Sequence, residues 1–367
     1  MNRPAVCFGG PSPEHDISIL TGLQAVRALA EAGNDVVALY WSKTGNWFEV
    51  PSDVEPSEFA DGLPRSAEPV VLQLGDAGGF YRVTKRGKQS RLEISAVVVC
   101  CHGGPGEDGS LQAMFDLASV RYTGPSRSGA ALGMDKLAFS GVMEAAGLSS
   151  LPLYLVTEDL ALNEAGPFIV KPRFGGSSIG IEVVENLETA NALVRTQPLL
   201  REGAVIQRYL SDAIDLNISV RTYPEVSLSA IERPLRPGDD GIYSYADKYL
   251  GGPEGMASAP RELPADLPIH VEGQLRTLAS QVVELAMVQS VARIDFLWSP
   301  QGLWVNEINT IPGSLSWYFW AQEGISFAEL LSQMLEEALE SPAIGFRTDG
   351  ADGSALRDVG AIAHKLA

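Results

Sequence analysis

The strongest constraint on the fold lies late in the chain, where two apolar segments with polar residues at alternate positions flank a turn. Val291 to Trp298 and Leu303 to Asn309 read as strands joined by Ser299-Pro-Gln-Gly302. Side chains alternate between faces along a strand, so Arg293 and Asp295 share one face, and Glu307 and Asn309 share one face of the next strand. With Trp298 opposite Trp304, Asp295 falls opposite Glu307 and Arg293 opposite Asn309, while Ile294, Phe296 and Ile308 turn to a core. Two carboxylates and an amide oxygen in one patch form the hard-oxygen set that Mg²⁺ takes, with positions left for phosphate and water. The plainer reading is an ion-pair patch on an exposed sheet. Thr310-Ile-Pro-Gly313 follows directly and is expected to bring a backbone N–H to the same patch.

The rest of the chain has room for more than one core. Its 367 residues suggest two or three domains, and 45% hydrophobic with 20% charged residues is a folding composition. A net charge of −19 repels phosphate backbones and anionic lipid, which argues against nucleic-acid and membrane partners. Phosphate chemistry must then be local, built from a few placed cations. The start, MNRPAVCFGG, holds no apolar run of signal-peptide length, and Ile308 to Gln322 is interrupted by Pro312 and Gly313. Cys7, Cys100 and Cys101 are too few for a disulfide framework, and four dispersed histidines give no zinc spacing. The expectation is a cytoplasmic protein.

Residues 4–8, a helical pattern through Ile17, Leu20, Val26 and Leu29, and Val36 to Tyr40 open the chain as β-α-β. Residues 44–92 mix short apolar pieces with Pro and Gly and read as an elaborated loop or hairpin region. Leu92 to Cys101 is a strand leading into His102-Gly-Gly-Pro-Gly-Glu-Asp-Gly109, with a helix over Leu111 to Leu117. Ala130 to Ala146 has helical composition. Phe168 to Pro172 and Ile179 to Val184 are strands around a Gly-rich turn, followed by a helix over 187–196 and a strand at Ala204 to Tyr209. The Pro/Gly-rich stretch 233–264, carrying Tyr243-Ser-Tyr-Ala-Asp-Lys-Tyr249, reads as a lid. Helices near 268–288 and 326–340 complete the pattern. The expected division is an α/β domain over 1–125, a middle domain over 126–212, a third over 213–340, and an appended tail, 341–367.

Two further segments carry chemistry. Phe174-Gly-Gly-Ser-Ser-Ile-Gly180 is no P-loop, because no Lys-Ser/Thr follows its last glycine and a strand comes next. It reads as a hairpin flap over a polyphosphate with Lys171 as the adjacent point charge, or as a plain surface turn. Glu14 lies at a strand-to-helix junction, where an acid competes with an anion. It is suited to a ligand ammonium group, or is simply a favourable first-turn acid. His102 is ambiguous in the same way.

Taken together these segments resemble the D-alanine–D-alanine ligase family of the ATP-grasp superfamily. The matching stretches are FGGPSPEHDIS (8–18), HGGPGEDGSLQ (102–112), ALGMDKL (131–137), VKPRFGGSSIG (170–180), YADKY (245–249), ARIDF (292–296) and NEINTIPG (306–313), in the family's order. The resemblance implies an α/β ATP-grasp fold, with an N-terminal α/β domain and with middle and C-terminal α+β domains sandwiching ATP. It implies a reaction in which one amino acid's carboxylate attacks the γ-phosphate of ATP and a second substrate's amine displaces phosphate from the acyl phosphate. By the same resemblance Glu14 holds the first substrate's ammonium with Ser18 in support. Lys136 and Lys171 contact phosphates, Ser177 and Ser178 lie in the flap, and Lys248 and Tyr249 belong to the lid. Asp295, Glu307 and Asn309 hold two Mg²⁺ ions, with Mn²⁺ as a substitute, and Arg293 and the Gly313 N–H stabilise the tetrahedral oxyanion. Small-molecule amino acids as partners, a homodimer and a place in peptidoglycan synthesis are further implications.

Departures from the family pattern are as informative as the matches. The adenine hinge reads Ile206-Gln207-Arg208-Tyr209-Leu210 where the family usually begins with Glu, and ribose contact falls on Asp215. After Gly313 the chain has Ser314-Leu-Ser316-Trp-Tyr318-Phe319-Trp320, with Tyr318 where the family's carboxylate-binding Ser is expected. Ser316, Tyr318 and Phe319 are therefore the expected acceptor pocket, reshaped by aromatic bulk. A different acceptor, another amino acid or a hydroxy acid, stays open, as does a nucleotide-binding regulatory protein without turnover.

Overall fold

The computed structural model describes residues 3–84, 86–235, 260–342, 346 and 348–357. Its first sheet has seven strands. They are β1 (Ala5–Gly9), β2 (Val37–Trp41), β3 (Trp47–Val50), β4 (Glu68–Gln73), β5 (Gly79–Val83), β6 (Gln89–Arg91) and β7 (Val97–Val99), in the order β6-β5-β4-β3-β2-β1-β7. β1 is central to a parallel trio with β2 and β7. The crossover from β1 to β2 is the helix His15–Glu31, which lays Ile19, Leu23, Val26 and Leu29 on the sheet. Residues 44–92, read as an elaborated loop or hairpin region, are an antiparallel meander that extends this sheet from β2 outward. Its strands are short and solvated toward the edge, with β6 exposed throughout, so their alternation is too brief to stand out from the turns.

A second sheet, ordered β10-β9-β11-β8, consists of β8 (Tyr154–Leu155), β9 (Phe168–Pro172), β10 (Glu182–Val184) and β11 (Ala204–Arg208). The helix Leu187–Thr196 covers it, N-capped by Asn186, whose side chain accepts the Thr189 N–H at 2.9 Å. Phe168, Val170, Val184, Ala190, Leu200, Ala204 and Ile206 form its core.

The third sheet, β14-β13-β12-β15-β16, comprises β12 (Ile214–Arg221), β13 (Ser227–Pro234), β14 (Arg261–Glu262), β15 (Val291–Ser299) and β16 (Gly302–Asn309). Leu275, Ala279 and Val282 of the helix Ile269–Leu285 close one face over Leu216, Ile218, Ile294 and Phe296, leaving the other face for polar groups. The hairpin register differs from the expected one. Trp298 stands opposite Leu303, and Trp304 opposite Leu297. A bulge then absorbs Asn306, and Asp295 meets Glu307 and Arg293 meets Asn309 as expected. One extra residue on a bulged strand shifts the ladder by one, which reconciles the turn with the site.

The helical stretch 130–146 is two helices, Arg127–Met134 and Lys136–Ala145, parted at Asp135. Asp135 leaves helical geometry (ψ 95°) and its carboxylate caps the N–H groups of Leu137 and Ala138 at 3.1 and 3.2 Å. The run Leu315 to Trp320 and the helix Phe327–Glu340 belong to the same hydrophobic core as the first sheet. In the tail the guanidinium of Arg127 lies over the Phe346 ring, and a short helix spans Ser354–Arg357. Of the expected lid, 233–264, the stretch 236–259 with Lys248 and Tyr249 lies outside the described residues; its described ends pair as β13 and β14.

Candidate active site

The uncovered face of the third sheet carries a row of polar residues in direct register. Asn217 pairs with Glu232 on one side and with Asp295 on the other, and Asp295 pairs with Glu307. The row Glu232–Asn217–Asp295–Glu307 thus crosses four strands and lines a cleft of about 1160 Å³, open mouth included. The second sheet supplies the opposite wall through Ile169, Lys171 and Gln207.

At the Glu307 end, Lys171 is 6% exposed and donates to Asn306 Oδ1 at 3.2 Å, while Lys136 Nζ lies 3.9 Å from Glu307 and donates to the Gly175 carbonyl. The bulge makes this possible, because it turns Asn306 and Glu307 to the same face. Gln207, Tyr209, Leu210 and Asp215 line the same cleft, and the Tyr209 N–H is tied to the Pro167 carbonyl at 3.0 Å. In the middle, Arg293 grips both oxygens of Asp295 at 2.6 and 2.8 Å, and Asn309 Nδ2 reaches Asp295 Oδ2 at 3.0 Å. Burial opposes the charge on Arg293, but the Asp295 carboxylate more than offsets it and holds the guanidinium well above its ordinary range.

A second corner forms where the loops after β1 and β7 meet the Gly-rich flap. Glu14 is 7% exposed and accepts a hydrogen bond from Ser177, while Ser178 lines the main cleft. Gly103, at φ +64°, approaches so closely that a Cβ there would stand 2.3 Å from Glu14 Oε2. Ser18 donates to the Glu14 carbonyl at 3.0 Å and accepts the His102 N–H at 2.8 Å. His102 is bonded to the Ile311 carbonyl and to Thr21, both at 2.8 Å, and burial lowers its pKa. Glu107 accepts the N–H groups of Gly103 and Ile311, both at 3.0 Å, and the Thr310 hydroxyl at 3.3 Å. Burial, with the charge of Glu14 beside it, pushes Glu107 up to about 7.

Not every expected residue faces the cleft. Gly313 opens a buried 3-10 turn and is not among the cleft's lining residues. Ser316 and Phe319 are 0% exposed, so the expected aromatic acceptor wall reduces to Tyr318. Phe319 and Trp320 follow the hydrophobic core instead, with Trp320 Nε1 donating to Ser219 at 3.1 Å. Conversely, the sequence reading missed Asn217, Glu232, Arg261 and Asn306. For Asn217 the signal is a polar residue inside an apolar strand, Leu216-Asn-Ile218, but local pattern alone gives no pairing that would aim it.

Two sheets facing each other across a cleft lined with Lys171 and several carboxylates, beside a separate α/β sheet, define the ATP-grasp class. Comparison with known proteins narrows this. The D-ala D-ala ligase N-terminus family matches residues 3–125, and the D-ala D-ala ligase C-terminus family matches residues 130–336. A D-alanine–D-alanine ligase of an Arthrobacter species is 32% identical over 364 residues, covering 92% of this chain and 94% of that protein. One from Prochlorococcus marinus is 32% identical over 359 residues, covering 91% and 98%. The fold is shared with D-alanyl-alanine synthetase A from Vibrio cholerae (TM-score 0.76, 22% identity, 93% and 99% coverage). It is shared also with a D-Ala:D-Ser ligase from Enterococcus faecalis (TM-score 0.74, 21% identity, 92% and 99% coverage). The chain belongs to the D-alanine–D-alanine ligase family.

Proposed function

We propose that the chain is an ATP-dependent, ADP-forming ligase that joins two D-alanine molecules. The observation that carries this reading is the polar row on the third sheet, which sets Asp295 and Glu307 across from Lys171 and the hinge Gln207–Leu210 in one cleft. Lys136 and Lys171 bind the nucleotide's phosphates, Gln207, Tyr209 and Leu210 the adenine, and Asp215 the ribose. Glu14 takes the ammonium of the first D-alanine, and its bond to Ser177 couples that event to the flap. The donor carboxylate attacks the γ-phosphorus, ADP leaves, and the second amine displaces phosphate from the acyl phosphate. Arg293 faces the tetrahedral oxyanion, where a placed donor is worth about a hundredfold or more in rate.

Asp295, Glu307 and Asn309 offer the hard-oxygen donors that Mg²⁺, or Mn²⁺ in its place, would take. Two opposed carboxylates beside an amide match such an ion in donor type, although Arg293 and Asn309 Nδ2 hold the Asp295 oxygens here, and among the described residues no three His, Cys, Asp or Glu side chains gather into a cage. The ion would neutralise charge on the transferring phosphoryl group. Residues 1–125 serve as the donor domain, 126–212 and 213–340 as the two halves that hold ATP, with Lys248 and Tyr249 in the lid. No described helix is long and apolar enough to cross a membrane. A cytoplasmic homodimer supplying peptidoglycan synthesis is the setting we propose. Tyr318 in the cleft wall favours a second reading, in which the acceptor differs from D-alanine.

The test is ADP release from Mg-ATP with D-alanine, with the product identified by mass. D-alanyl-D-alanine is expected, and a wild-type enzyme that releases no ADP with D-alanine contradicts the proposal.

A further inference from the structure

The end of the polar row remote from Glu307 holds a buried ion pair that the phosphate chemistry does not use. Glu232 and Arg261 both line the cleft with side chains only 5% and 13% exposed, and Arg261 Nη1 lies 3.0 Å from Glu232 Oε1. Glu232 Oε2 accepts from Asn217 at 3.1 Å and from the Tyr318 hydroxyl at 3.4 Å. The Arg261 guanidinium sits 4.2 Å above the Tyr318 ring. Taking such a pair out of water is costly, and replacing it with apolar groups is often neutral or stabilising, so stability alone is a weak reason for it.

Its position suggests another. Adjacent strands lie about 4.8 Å apart, so Glu232, two strands from Asp295, is about 10 Å away along the row. That is too far to serve the same phosphoryl group, yet close enough for one end of a small molecule whose other end reacts beside Arg293. Of the two guanidiniums here, Arg293 has its fork on Asp295, whereas Arg261 is oriented by Glu232 and the Tyr318 face. Arginine's planar fork matches a carboxylate.

Building on the ligase reading above, we infer that Arg261, held by Glu232 and stacked on Tyr318, reads the carboxylate of the acceptor amino acid. The acceptor is then an amine that carries a carboxylate and a small side chain, because Tyr318 occupies the wall beside it. Glu232 and Tyr318 are positioning residues that act through Arg261.

The test uses D-alanine as donor and compares D-alanine with D-alaninamide as acceptor, with both products resolved by mass. D-alaninamide has no carboxylate and cannot be the donor, so only the acceptor step changes. Wild type is expected to prefer D-alanine by about a hundredfold or more, as sites built around a polar group reject analogues lacking it. Arg261→Met should reduce that preference below about tenfold while still forming the amide product, which reports folding and donor activation directly. Arg261→Lys should fall between. An unchanged preference in Arg261→Met, an equal use of both acceptors by wild type, or a variant that forms neither product overturns the inference. No ADP release by wild type with D-alanine sinks the ligase reading itself, and this inference with it.

Discussion

The sheet face that lines the cleft and the corner around Glu14 hold their polar groups by different means. On the sheet, the ladder does the placing. Glu232, Asn217, Asp295 and Glu307 are neighbours because their backbones are paired, and the core beneath fixes which face they take. At the corner, three loops are tied by side chains that bond to backbone. Ser18 accepts the His102 N–H, His102 holds the Ile311 carbonyl, and Glu107 holds Gly103 and Ile311 together. The first arrangement tolerates loss of a side chain without moving its neighbours. In the second, each link positions the next, so one substitution spreads.

Arg293→Ala sharpens this contrast most. If Arg293 is the oxyanion donor proposed above, its removal from the rigid face should lower kcat by about a hundredfold or more with little change in the KM for ATP. Steady-state kinetics with D-alanine and ATP varied separately would check it. Glu14→Gln, at the corner, should instead act through binding, raising the donor KM by about tenfold to a hundredfold as a charged hydrogen bond is lost. A loss confined to kcat would break the comparison.

Glu107 supplies a pH signature for the corner. Its pKa is raised from an ordinary 4.5 to about 7, so the folded state holds the proton more tightly than the unfolded chain. The stabilisation is complete below pH 4.5 and is lost as pH rises to about 7, a loss of about 3 kcal/mol at 1.36 kcal/mol per unit. Denaturant titrations across that window should show stability falling with pH in wild type and a flatter profile in Glu107→Gln. The smallest expected effect is at Asn306. Asn306→Ala removes a partner of Lys171 but leaves the ladder and the ammonium itself, so the ATP KM should rise by only about two- to tenfold, roughly the net worth of one ordinary hydrogen bond.

This difference also explains what the sequence made legible. The pairing of Asp295 with Glu307 followed from strand period, and it survived although Trp298 faces Leu303, because the bulge at Asn306 restores the register. A bulge leaves no mark in an apolar pattern, so Asn306 and its bond to Lys171 went unread. Asn217 and, through it, Glu232 join the site because β12 pairs with β15, a strand of distant sequence, which local periodicity does not encode. The split at Asp135 was foreseeable from Asp as a cap, but helical composition on both sides masked it. Phe319 reads as a pocket residue from its place after Gly313. The left-handed turn at Ser314, Leu315 and Ser316 carries it, with Trp320, into the core instead.

If the polar row performs the phosphoryl transfer, its two carboxylates are indispensable to turnover, and one measurement addresses that directly. D-alanine-dependent ADP release should be compared in wild type, Asp295→Asn and Glu307→Gln, with protection of each by Mg-ATP against heat followed in parallel. ADP release is expected in wild type, with a loss of about a thousandfold or more in both variants, each melting near the wild-type temperature without nucleotide. ADP release by either variant at a rate equal to wild type would contradict that role for the row.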